Sequence, residues 1–122
     1  MAAGTNELVI MITRGTDHEL SSVGFTIANG AITAGMKVYV FLTSSGVDLV
    51  RKRACDTTEV RPLEPLAKMM KDFLERGGTL WACPPCVKSR GYEKSDLIEG
   101  AEIVGASGML ARLKEGAASM VF

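Results

Sequence analysis

Apolar and polar positions follow two different rhythms along this chain. Leu8 to Thr13 (LVIMIT) is a continuous apolar, β-branched run. Continuous rather than alternating burial predicts a strand covered on both faces, as in a parallel sheet. Thr16 and Glu19 then have capping-box spacing and predict a helix start. Leu20, Val23, Ile27, Ala31 and Ala34 recur at steps of three and four, which draws one apolar helical face ending at Gly35. Lys37 to Thr43 (KVYVFLT) is a second apolar strand, and SSGVDLVRK after it predicts a short helix behind a turn. Residues 53–62 are polar and irregular and predict a mobile loop. LEPLAKMMKDFLERGG is the clearest helix: Pro65 lies in its first turn, Leu66, Met69, Met70, Phe73 and Leu74 form its stripe, and Gly77 ends it. Thr79 to Cys83 (TLWAC) reads as a third strand, Pro85 to Arg90 as a short helix, AEIVG as a fourth strand, SGMLARLKEG as a helix and ASMVF as a fifth strand.

The order β-α-β-α-α-β-α-β-α-β predicts an α/β fold with a parallel sheet between helix layers. With 122 residues, the chain fits one domain, residues 1–122, able to bury a core without staples. In open sheets of this kind, reactive groups collect beyond the carboxyl ends of the strands, which is where Cys83 falls.

Composition narrows the function classes. Lys plus Arg and Asp plus Glu are each 14, so the formal net charge is zero. That leaves no electrostatic footprint for nucleic acid, and it makes self-association easier. No apolar run approaches the roughly 18 residues of a membrane span. The N-terminus has no basic region before its apolar run and reads as a first strand rather than a signal peptide. Three cysteines without an export signal point to a reduced, cytoplasmic setting, where a CxxC signals metal or redox chemistry rather than a structural disulfide.

Two of those cysteines, Cys83 and Cys86, form the stretch CPPC. A thiol at a strand end that opens a helix meets the positive end of the helix dipole, which favours thiolate. Lys88 and Arg90 add positive charge, and Cys86, one turn on, is placed to resolve a persulfide or mixed disulfide on Cys83. Three other readings stand beside this. Free cysteines often only fill a core. A zinc site needs four ligands, and only the distant Cys55 and His18 remain to complete one. The CxxC also resembles that of dithiol oxidoreductases, although there it normally follows the first strand. His18, the only histidine, is either a charge or acid–base partner for Cys83 or a solvated residue of a helix's first turn. The segment TRGTDHE lacks both the GxGxxG and the Walker pattern, so it is a weak match to a phosphate site. Met69, Met70 and Trp81 read as core.

The stretch GGTLWACPPCVKSRGY resembles the DsrE/TusD type of small sulfur-relay proteins, the DsrE/DsrF-like group. There a strand ends in cysteine and runs into a short helix closed by an Arg-Gly pair, here Arg90-Gly91. LVIMITRG, SSVGFTIANGAITAGMKVYVFLT and GASGMLARL fit the same pattern in order. The resemblance implies a three-layer α/β/α domain with a mostly parallel five-stranded sheet that assembles into homo-oligomers, trimers or hexamers. It implies that Cys83 carries sulfur as a persulfide between donor and acceptor proteins, with Arg90 and the helix tip stabilising the anion and with no dissociable cofactor and no metal. Cys86 departs from the one-thiol pattern. As a second thiol it is placed to expel sulfide from a persulfide on Cys83, or to protect the site. Cys55 is a further thiol that approaches the site from the same subunit or a neighbour. The alternatives are a non-enzymatic oligomeric binding module of the same fold and a CxxC dithiol–disulfide oxidoreductase.

Overall fold

The apolar runs become the strands of one sheet in the computed structural model, which describes residues 5–122. Its strands are β1 (Glu7–Ile12), β2 (Lys37–Leu42), β3 (Thr79–Ala82), β4 (Ala101–Ile103) and β5 (Ala118–Val121). All pair in parallel, in the order β4-β3-β2-β1-β5. The helices are α1 (Glu19–Thr33), α2 (Leu66–Glu75), α3 (Pro84–Ser89) and α4 (Ala106–Lys114), with 3₁₀ turns at Ser44–Val50 and Lys94–Asp96. The fold is a five-stranded, all-parallel α/β sheet with helices on both faces.

Strand residues alternate between two cores, as the pleat requires. Ile10, Ile12, Val40, Leu42 and Leu80 face α1 and α2 in the larger one. There Phe25 of α1 meets Phe73 of α2 edge-to-face, with centroids 5.8 Å apart. On the opposite face Val9, Tyr39 and Phe41 are buried, and Tyr39 packs on Trp81 at 5.2 Å. Helix α4 covers that side, with the Arg112 guanidinium over the Tyr39 ring. Gly108 lets α4 lie close, since a Cβ there would stand 2.6 Å from Val104 and 3.9 Å from the Trp81 ring.

Helix α1 departs from its sequence reading in two ways. It starts at Glu19, with His18 rather than Thr16 as its cap: the Leu20 amide donates to His18 Nδ1 at 3.1 Å. Thr16 lies in a turn before the helix and cannot reach its first free amides. Its buried face carries Phe25, Ala28 and Ala31 with Ser21, Ser22 and Gly24, while Leu20, Val23 and Ile27 are only half-buried and Ala34 is exposed. The helix is wedged between sheet and α2, so small residues take the tight side. A Cβ on Gly24 would sit 2.7 Å from Ile12. In helix α2 the expected stripe is buried at Leu66, Met69, Met70 and Phe73, while Leu74 is half-buried.

The segment 53–62, read as a mobile polar loop, is turn-rich and tied into the fold. Thr58 donates to the Thr16 carbonyl at 3.2 Å, and Cys55 is buried with its thiol on the Leu49 carbonyl at 3.4 Å. Among the described residues, no helix is long and apolar enough to cross a membrane.

Candidate functional site

Strands β2 and β3 are neighbours, so their carboxyl ends lie side by side, with Leu42 opposite Ala82. The Cys83 amide donates to the Leu42 carbonyl at 2.9 Å, which pins the start of α3 to the end of β2. Strand β3 stops at Ala82 and α3 begins at Pro84, leaving Cys83 as the extended cap between them. Val87 buries the inner face of α3 and leaves Cys83 and Cys86 partly exposed.

The anion-stabilising groups differ from those expected. Helix α3 has only six residues, and its first two are Pro84 and Pro85, which have no N–H to offer. The Cys83 side chain makes no cap hydrogen bond. Donors instead reach Cys86 from the turn after β2. The Ser44 amide donates to Cys86 Sγ at 3.2 Å, and Thr43 Oγ1 lies 3.6 Å from the same sulfur. Together these hold Cys86 below the ordinary thiol range: the Thr43 hydroxyl contributes most, partial burial opposes it, and the Ser44 amide, the Cys83 thiol and the Arg90 charge add to it.

The backbone is bent to make this possible. Ser44 sits in the left-handed region at φ 53°, a conformation that costs an L-residue about 1–2 kcal/mol. Gly46 closes the turn against β1; a Cβ there would meet the Ile12 carbonyl oxygen at 2.2 Å. Strain of this kind, held by a packed surrounding, is a mark of functional sites.

Arg90 lies beside the pair. Its Nη1 donates to the Cys86 carbonyl at 3.3 Å and its Nε pairs with Asp48 Oδ1 at 3.2 Å. The Tyr92 hydroxyl donates to the same Asp48 oxygen at 2.6 Å, and that bond pushes the phenol up. The Arg51 guanidinium rests over the Tyr92 ring. Asp48 thus orients Arg90.

The other two sequence candidates are engaged in contacts of their own. His18 is engaged as the α1 cap and borders a shallow recess with Thr13, Arg14, Asp17, Ser44 and Ser45, a lining that includes no cysteine. Cys55 borders a separate cavity of about 430 Å³ between the 53–56 turn, α2 and Ile98. Burial, helped by the charge of Asp56, pushes its thiol up to about 11. Among the described residues no three His, Cys, Asp or Glu side chains are grouped to hold a metal ion.

Sequence reasoning missed Thr43, Ser44, Asp48 and Tyr92. The available signal was the Ser-Ser-Gly turn directly after the second strand, in a sheet where consecutive strands usually pair. The assembled site has two adjacent thiols at an open sheet edge, one of them ionised more readily than usual. Such a pair can attack sulfane sulfur or a disulfide, and can itself close to a disulfide.

Comparison with known proteins agrees with this architecture. The chain is 31% identical over 101 residues to the uncharacterised protein MJ0989 of Methanocaldococcus jannaschii, covering 83% of each. It is 31% identical over 111 residues to MJ0760 of the same organism, covering 90% of this chain and 40% of that protein. Among solved structures, a protein of unknown function from Methanobacterium thermoautotrophicum superposes with a TM-score of 0.77 at 19% identity, over 95% of this chain and 98% of that one. The ychN protein of E. coli does so with a TM-score of 0.76 at 16% identity, over 98% of this chain and 100% of that one. Those two likenesses establish the fold. Residues 6–122 match the model of the DsrE/DsrF-like family, and the chain belongs to that family.

Proposed function

We propose that this chain is a sulfur-relay protein that takes up sulfur as a persulfide at the Cys83–Cys86 site and passes it to a thiol of a partner protein. The observation that carries this reading is the convergence of the Ser44 amide and the Thr43 hydroxyl on one sulfur of a partly exposed thiol pair. In the reaction, a thiolate attacks the outer sulfur of a donor persulfide and the donor's thiolate leaves. The terminal sulfur then moves to an acceptor thiolate by the same attack. No dissociable cofactor takes part. A reducing compartment such as the cytoplasm keeps both thiols available.

The working form is a homo-oligomer, a trimer or hexamer. Helix α4 has no buried residue within the chain, and Leu110, Met120 and Val121 are exposed on α4 and the β5 edge, where a second copy can cover them.

A mass measurement tests the relay. With one thiol of the pair replaced so that no disulfide can close, treating the reduced protein with a persulfide donor adds about 32 Da, one sulfur atom, to the remaining reactive thiolate, and mixing with an acceptor thiol removes it. A protein inert to the donor, or one whose adduct is the same with both cysteines replaced, refutes the reading. A dithiol–disulfide oxidoreductase, the second reading, is favoured by two free, partly exposed thiols three residues apart on one short helix and its cap. It predicts turnover of protein disulfides such as those of insulin with no sulfur donor present.

A further inference from the structure

We infer that Cys86, not Cys83, is the thiol that accepts sulfur, and that Cys83 then displaces it as sulfide, making the site a persulfide reductase as well as a relay. The inference rests on the sulfur-handling reading above and assigns its direction.

The two thiols differ in what surrounds them. Cys86 Sγ has the Ser44 amide at 3.2 Å and the Thr43 hydroxyl at 3.6 Å; both lie in the turn after a different strand, and Ser44 is held there in a costly left-handed conformation. Cys83 is followed by two prolines without N–H groups and makes no side-chain cap bond. The group prepared to bear negative charge is therefore the second cysteine of the motif. Arg90, oriented by Asp48, adds its charge on the same side. Cys83 caps the same six-residue helix three positions before Cys86, and both thiols are partly exposed. Once Cys86 carries a persulfide, Cys83 is the thiol one turn away that is placed to attack its inner sulfur.

The steps balance as follows. The Cys86 thiolate attacks the outer sulfur of a donor R–S–SH, forming Cys86–S–SH and releasing R–S⁻. The thiolate of Cys83 attacks Cys86 Sγ, the S–S bond to the terminal sulfur breaks, and HS⁻ leaves with the electron pair. The sulfane sulfur is reduced to sulfide while two thiols are oxidised to a Cys83–Cys86 disulfide. An external dithiol, small or protein-borne, exchanges with that disulfide and restores the pair. When an acceptor protein thiol reaches the persulfide first, the sulfur is relayed instead.

The test uses the full chain, reduced and freed of reductant, mixed with one equivalent of glutathione persulfide. Intact mass and free sulfide are read together, and continued protection of Cys55 from alkylation shows that each variant is folded. Wild type should end about 2 Da lighter, with about one sulfide released per chain. Cys83→Ser should hold a stable adduct of about 32 Da and release no sulfide. Cys86→Ser should show neither. An adduct on Cys86→Ser but none on Cys83→Ser overturns the inference while leaving the relay reading intact. So does a wild type that keeps its adduct without releasing sulfide. If wild type and both variants all stay unmodified, the relay reading fails, and this inference fails with it.

Discussion

Replacing Thr43 with Val removes the hydroxyl nearest Cys86 and keeps the side-chain shape, in a residue whose extended backbone suits either. A hydrogen bond to a charged group contributes roughly 1.5–3 kcal/mol. At 3.6 Å to a partly exposed sulfur, the lower part of that range, reduced further by solvent, is appropriate: about 1 kcal/mol. Cys86 is held below its ordinary value, so losing the donor moves it back up and leaves up to about fivefold less thiolate on the acid side of its titration. A more basic thiolate is also more nucleophilic, with a Brønsted slope of about 0.4–0.5, which recovers roughly twofold. Reaction with an aromatic disulfide reagent, followed on a Cys83→Ser background, should therefore be about two- to threefold slower on the acid limb of the rate–pH curve and about twofold faster on its alkaline plateau. The crossing of the two rate–pH curves is the signature, because general damage would lower both limbs. Superimposable curves for Thr43→Val and its parent would refute the view that this hydroxyl stabilises the thiolate.

Three further outcomes follow from the geometry. Cys55, ordinarily near 9.0 and pushed up to about 11 by burial, stays neutral in the folded chain while the unfolded chain ionises; its contribution of about 3 kcal/mol is complete below pH 9 and lost as pH rises to 11. Urea titrations across that window should show the loss in wild type and a flatter profile in Cys55→Ala, and thiol counting should find Cys55 protected until the chain unfolds. Gly46→Ala drives a methyl group into the Ile12 carbonyl, at 2.2 Å, so it should cost at least about 1–3 kcal/mol in thermal or urea unfolding and slow Cys86 by displacing the Ser44 amide; unchanged stability and reactivity would contradict the packing described. The proposed association through this face predicts that Leu110→Asp with Val121→Asp sediments as a smaller species than wild type with unchanged circular dichroism, and equal sedimentation of the two would contradict it.

Local pattern carried much of this protein. The continuous runs at residues 8–13 and 37–43 required strands buried on both faces, the stripe from Leu66 to Phe73 required α2, and CPPC at the end of a strand located the thiols at the sheet's carboxyl edge. Those features depend on the periodicity of neighbouring residues, which a chain displays before it folds. Other features depend on what comes alongside. Phe25 is buried and Val23 half-buried because α2 lies against α1, and Cys55 is sealed because its turn folds back beneath Leu49. His18 displaced Thr16 as the α1 cap through the path of one loop. Which thiol receives the stabilising donors was decided in the same way. Ser44 and Cys86 are 42 residues apart in the chain and meet only because β2 and β3 pair, and that pairing is a long-range choice no local window records. The amino-acid order supplied the two sulfurs; the sheet's strand order chose which of them receives the Ser44 amide.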